Sequence, residues 1–182
     1  MRAIAILIFL LTAFGVVGLL SEHFHGDSGL VLRLATDALL SFVAVLVHEL
    51  GHAGAARHFG ADIGAIVVLP FEFRMKPRRL RVKWRAGSGD LGGYVSYRLD
   101  RIDARRKHMA ISAAGPAANL LLALGAGALA ARLDTATLAG TLLGAVALLS
   151  AGMGLANLVP FKGSDGAHIL QGFRAGRRIA RR

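Results

Sequence analysis

The chain has no cysteine among its 182 residues. Neither a disulfide nor a thiolate metal site is open to it, so any metal must be held by histidine and carboxylate. Acidic residues are scarce: 11 Asp and Glu stand against 22 Lys and Arg, a formal net charge of +11. In a soluble protein such an excess suggests nucleic-acid binding. Here 54% of residues are hydrophobic, too many for an ordinary soluble domain, and the basic residues then mark loops on the cytoplasmic side of a membrane. A cleavage site of the A-x-A kind is also missing after the apolar run at residues 3–20. A retained transmembrane helix is favoured there over a signal peptide, whose short basic start and apolar core the run otherwise shares.

What the chain does have is a succession of apolar segments. Spans are expected at about 3–20, 37–59, 109–133 and 136–159, each long enough to cross a bilayer. Residues 21–36 read as a short polar connection, and His23 and His25 there read as loop residues rather than metal ligands. Residues 60–108 form the long polar loop, with strand character at 63–69, 80–85 and 91–97 and a turn at 87–90. The loop is dense in Arg and Lys, and anionic lipid headgroups are the expected partner rather than nucleic acid. A turn around Asp134-Thr135 separates the last two spans, and a basic tail follows at 167–182 with Arg174, Arg177, Arg178, Arg181 and Arg182. The expected fold is an all-α polytopic membrane protein of about four transmembrane helices, a single domain over 1–182, with a small cytoplasmic or re-entrant β region between the second and third. The basic loop and tail lie two spans apart, so both termini and the loop fall on the cytoplasmic side. Gly51, Gly54 and the Gly140–Gly144 pair offer close helix approach.

The second span carries His48-Glu49-Leu50-Gly51-His52, an H-E-x-x-H motif. Four residues apart on a helix, His48 and His52 share a face about 6 Å apart along the axis and can offer two nitrogens to one metal. Glu49 lies one residue round the helix, within reach of a water on that metal. Two His ligands, a Glu base and a third ligand from elsewhere make the zinc-hydrolase arrangement. Ionisable groups at this depth cost about 2.5–3.5 kcal/mol each on insertion scales and are functional by default. His58 stands ten residues after His48, the metzincin spacing, but the turn glycine that such a chain needs is replaced by Ala55. If the helix continues, His58 lies about 15 Å along the axis from His48, too far to share its metal.

The third ligand is sought near the end of the fourth span, where Pro160, Gly163 and Gly166 break the helix around Asp165. Irregular backbone at membrane depth exists only where protein or water covers it. Asp165 is the candidate ligand; an aspartate capping a terminal helix is the alternative. His168, three residues further on, is expected near the site without holding metal. In the third span Asn119 follows Pro116, which should kink or loosen the helix; it either glues helices together or faces the metal site.

These motifs resemble those of the site-2 protease family of intramembrane zinc metalloproteases. His48-Glu49-Leu50-Gly51-His52 matches the first motif. Asn157-x-x-Pro160 with Asp165-Gly166 matches N-x-x-P-x-x-x-x-D-G, and Gly115-Pro116 with Asn119 is similar to G-P-x-x-N. Gly92-Gly93-Tyr94-Val95 looks like the family's glycine-bearing loop that re-enters the membrane. Lys162, Gly163 and Ser164 stand where the family commonly has prolines and a leucine, which bears on groove shape more than on the metal. No stretch is long enough for a PDZ or CBS domain, so a compact member is expected.

The resemblance implies one Zn2+ per chain held by His48, His52 and Asp165, with Glu49 as catalytic base. It implies a transmembrane protein as substrate, extended along a strand edge from Gly92 through Gly93 and Tyr94 to Val95 and clamped by Asn157; Asn119 and Asn157 either orient substrate or supply oxyanion contacts, roles that spacing does not separate. The expected setting is a bacterial inner membrane. Two other classes are weighed. A non-proteolytic zinc-binding regulator would not need Glu49, and a metal transporter would spread its ionisable groups along a path.

Overall fold

The computed structural model describes residues 1–26, 28–83, 92–133 and 137–179. Its elements, in order, are α1 (Arg2–Ser21), α2 (Gly29–His58), β1 (Asp62–Val68), β2 (Phe71–Met75), β3 (Arg78–Val82), β4 (Gly93–Arg98), α3 (Ala104–Ala130), α4 (Leu138–Leu158) and α5 (Asp165–Ile179). Helices α1 to α4 are each long and apolar enough to cross a membrane. Their outward residues fit that solvent: on α1, Leu7, Leu11 and Phe14 are exposed, positions that an aqueous surface would disfavour and lipid does not. The protein is an integral membrane protein.

Helix α2 begins at Gly29, not near residue 37. The polar connection is correspondingly shorter. Leu30, Val31, Leu32 and Leu34 are exposed and extend the lipid-facing surface by two turns, while the Arg33 side chain donates back to the Gly29 carbonyl at 3.2 Å. Helix α3 begins at Ala104, so residues 104–108 of the expected loop are helical, and Pro116 sits inside α3 without ending it. The basic tail also departs from expectation: residues 165–179 form a fifth helix, α5. Its apolar residues, Ile169, Leu170 and Phe173, recur at helical spacing among basic ones, a pattern that is legible once the segment is not read as tail.

Among the described residues the polar loop forms one antiparallel sheet in the order β3-β2-β1-β4. Strands β1, β3 and β4 were expected. Strand β2 was not, although Phe71-Glu72-Phe73-Arg74-Met75 alternates strictly. The anticipated turn at 87–90, residues 84 and 85 of the second expected strand, and the Asp134-Thr135 turn lie outside the described residues. Residues 65–68 of β1 are buried, and Phe71 meets Phe42 of α2 edge to face at 5.8 Å between centroids. The end of the sheet that carries Val68, Phe71 and Gly93 therefore sits beside α2 at the level of the H-E-x-x-H motif rather than at the helix end. Among the described residues strand β4 pairs only with β1, with Gly93 opposite Val68 and Tyr94 opposite Val67, and so presents its other edge.

The helices pack through small residues, as they must where lipid gives no hydrophobic drive. Gly51 lies so close to α3 that an added Cβ would meet the Ala114 carbonyl oxygen at 2.6 Å, whereas Gly54 meets nothing. Val16 and Leu20 of α1 pack with Ala44 of α2 and with Ala145 and Leu149 of α4 in a buried cluster. That cluster fixes α1 against α4.

Candidate metal centre

Helix α2 supplies His48 and His52 on one face, and α5 supplies Asp165 at its first position. The His48 Nε2 and Asp165 Oδ2 atoms are 3.1 Å apart, the two Nε2 atoms 3.1 Å, and His52 Nε2 and Asp165 Oδ1 3.4 Å. One ligand atom from each residue lies within 4.8 Å of the other two. Two imidazoles and a carboxylate, with no thiol, make the donor set of a catalytic rather than a structural zinc site. The residues fit that metal.

Each candidate ligand is held from behind. The His52 Nδ1–H donates to the Ile111 carbonyl of α3 at 2.7 Å. This fixes the ring orientation and leaves the Nε2 lone pair for the metal. The His52 imidazole lies flat on α3 at Gly115, where any Cβ would overlap the ring. Asn119 is fully buried. Its Nδ2 is 3.4 Å from His48 Nδ1, while its Oδ1 is buried with no hydrogen-bond partner. Asp165 is set by its predecessor: the buried Ser164 Oγ accepts from the Ala167 N–H at 3.2 Å and donates to the Val159 carbonyl at 2.7 Å. Ser164 thus takes the helix-capping role, and the Asp165 carboxylate is left to turn toward the histidines. Burial pushes that carboxyl up, but hydrogen bonding with His48 and His52 outweighs it and holds the group below its ordinary value.

Glu49 is buried on the neighbouring face of α2, against β4. A Cβ on Gly93 would stand 2.7 Å from Glu49 Oε1 and 2.8 Å from the Val67 carbonyl oxygen, so glycine is what lets strand and carboxylate meet. A cavity of roughly 650 Å³ opens here, bordered by the three metal-ligating candidates, Glu49, Gly93 and Asn157.

The other anticipated residues divide. Tyr94 lines the cavity, and its hydroxyl accepts from Lys83 Nζ at 2.7 Å. Gly92 adopts φ 93° just before β4. Asn119 does not line the cavity; it sits behind His48. His168 lines the cavity but stands outside the metal group. His58 ends α2, edge to face with Phe59, and His23 bonds Thr141 at 2.7 Å; neither joins the group. Sequence reasoning missed Ser164 and the Ile111 carbonyl. The first carries a signal, a cap residue three positions before Ala167. The second carries none, because a backbone oxygen has no residue type.

Residues 37–137, more than half of the chain, match the profile described as Peptidase family M50. The chain belongs to peptidase family M50, the family of the site-2 proteases. The matched stretch holds the H-E-x-x-H helix, the sheet and α3, and it stops before Asp165; the fold is what brings this M50 chain's third candidate donor to the other two. A protein of Synechocystis sp. named "Putative zinc metalloprotease sll0528" is 26% identical over 146 residues, which cover 80% of this chain and 33% of that protein. The M50 chain thus spans about a third of the length of this curated relative. No solved structure matches it. Zinc is the metal that family and donor set agree on.

Proposed function

We propose that the protein is a zinc-dependent endopeptidase that cuts transmembrane segments of other membrane proteins. The observation that carries this is the meeting of His48, His52 and Asp165 with Glu49 in one cavity among membrane-spanning helices, beside the open edge of β4. Metal ligands alone would suit a regulator; a carboxylate poised beside them suits hydrolysis. The described elements build one site and are read as one domain.

His48, His52 and Asp165 hold the zinc. Bound there, zinc acidifies water and polarises the scissile carbonyl. Glu49 accepts the proton of the attacking water and passes it to the leaving amine as the C–N bond breaks. The carboxamide of Asn119 is nearly symmetric in shape. Turned by half a revolution, it sets Oδ1 against His48 Nδ1, where it accepts the proton that a His48 coordinating through Nε2 must carry. Asn119 is therefore a positioning residue for His48 rather than a substrate contact. Substrate enters as an extended strand along β4 from Gly93 to Tyr94, by main-chain pairing, with Asn157 on the facing wall. The excess of basic residues in the loop and tail supports a cytoplasmic side for that loop and both termini, and the setting we propose is a bacterial inner membrane.

The test is purified protein assayed for zinc and for cleavage of reconstituted transmembrane substrates. Glu49→Gln should keep about one zinc per chain and lose turnover by about a hundredfold or more. Undiminished turnover would remove Glu49 from the mechanism. Zinc bound without hydrolysis of any substrate would leave a binding protein.

A further inference from the structure

The cavity does not end at the metal. Helix α5 lines it from Asp165 through His168 and Gln171 to Ala175, ten residues or about 15 Å of helix axis. That is room for about four residues of extended chain. At the far end Arg105 of α3 enters the lining.

Arg105 is not placed as a membrane-boundary arginine would be. Arg101 and Arg106 are exposed, while Arg105 is half-buried. Its Nη1 is buried and has no hydrogen-bond partner among the described residues. Room for the guanidinium is made by Gly176, where a Cβ would lie 2.5 Å from Nη1. Among the described residues the acids lining the cavity are Glu49 and Asp165, both at the metal end. The nearby acid Asp100 is paired with Lys107 at 2.7 Å. Nor does α3 itself benefit, because a cation in the first turn opposes the helix dipole. A half-buried guanidinium on the cavity wall, with no acid beside it among the described residues, calls for an anion at its cavity-facing nitrogens, and carboxylate matches its geometry.

We propose that Arg105 is an anion subsite of the substrate channel, taking the side-chain carboxylate of an aspartate or glutamate near the bond that is cut. The proposal rests on the peptidase reading. The register follows from α3. Arg105 lies six residues before Ile111, the residue that anchors His52, or about 9 Å along the helix. In an extended substrate that separation corresponds to about three residues from the scissile peptide.

The experiment uses zinc-loaded Glu49→Gln protein in detergent and fluorescent alanine–leucine transmembrane peptides broken by a glycine–serine pair. One aspartate, or asparagine as control, is walked along the peptide, and binding is read by anisotropy. At one or two adjacent positions aspartate should strengthen binding about tenfold over asparagine. Arg105→Gln should erase the difference, Arg105→Lys should keep part of it, and Arg105→Glu should favour lysine at the same position. Zinc content of each variant reports that the site is intact. The proposal is overturned if no position discriminates, if no peptide binds, or if the preference survives Arg105→Gln. It is also overturned if Arg105 instead governs affinity for phosphatidylglycerol over phosphatidylcholine nanodiscs with no aspartate preference. Cleavage of the same peptides by the unaltered protein tests the peptidase reading separately. Aspartate-dependent binding without cleavage would retain the subsite and remove the hydrolase; cleavage blind to aspartate would do the reverse.

Discussion

Replacing Asn119 by leucine removes the carboxamide behind His48 while nearly keeping its volume. Asn119 is fully buried, so no water can take its place at His48 Nδ1. The variant leaves a buried N–H unpaired, which costs about 1–3 kcal/mol. That cost falls on the state in which His48 binds metal through Nε2. It should appear as zinc affinity weakened by about ten- to a hundredfold, the range typical of groups that orient a metal-bound histidine. The assay is competition with a chromophoric chelator in detergent. Asn119→Asp should restore affinity, because a carboxylate accepts the same proton. A merely structural role for Asn119 predicts the opposite order, since burying a charge between helices would harm packing more than burying leucine. A leucine variant within twofold of the unaltered protein, or an aspartate variant weaker than leucine, would refute the reasoning.

Three further outcomes follow from the geometry. Asp165→Ala and His48→Ala should each lower zinc from about one per chain to a small fraction in metal analysis of dialysed protein; full zinc without Asp165 would break the ligand assignment. Ser164→Ala should destabilise α5 by about 1 kcal/mol through the lost cap, seen as faster amide exchange in residues 165–170 and weaker zinc binding, and unchanged exchange would mean that Ser164 does not position Asp165. Gly115→Ala should push the His52 ring off α3 at a cost of about 1–3 kcal/mol, read as lower melting temperature and weaker zinc; since the Ile111 carbonyl tethers that ring, an unaffected variant would place the ring elsewhere.

The metal-binding half of the site was legible because its chemistry is local. His48 and His52 are related by helical period alone, and Asp165 is marked by the helix break that precedes it. The supporting half was less legible. Nothing in the spacing tells whether Asn119 faces substrate or His48, because 71 residues separate it from that ring. The Ile111 carbonyl is invisible in principle. In the fold, apolar runs located the spans, yet α2 was read eight residues short because its first turns mix Arg33 and Thr36 with leucines. Helix α5 was hidden by its own arginines, since composition suggested tail where periodicity suggested helix. Strand β2 was overlooked between stronger signals on either side.

The distance in sequence between the two halves of the metal site has a consequence for when the protein can act. His48 and Asp165 are 117 positions apart, and Asp165 is the last of the three to leave the ribosome. A chain still being made holds two histidines and a glutamate but lacks the carboxylate that completes the set. The carboxylate reaches the histidines only from the first position of α5, which the Ser164 cap begins. If the proposed peptidase reading holds, a copy without α5 in place keeps His48, His52 and Glu49 but lacks the third donor, and would be unarmed toward its neighbours.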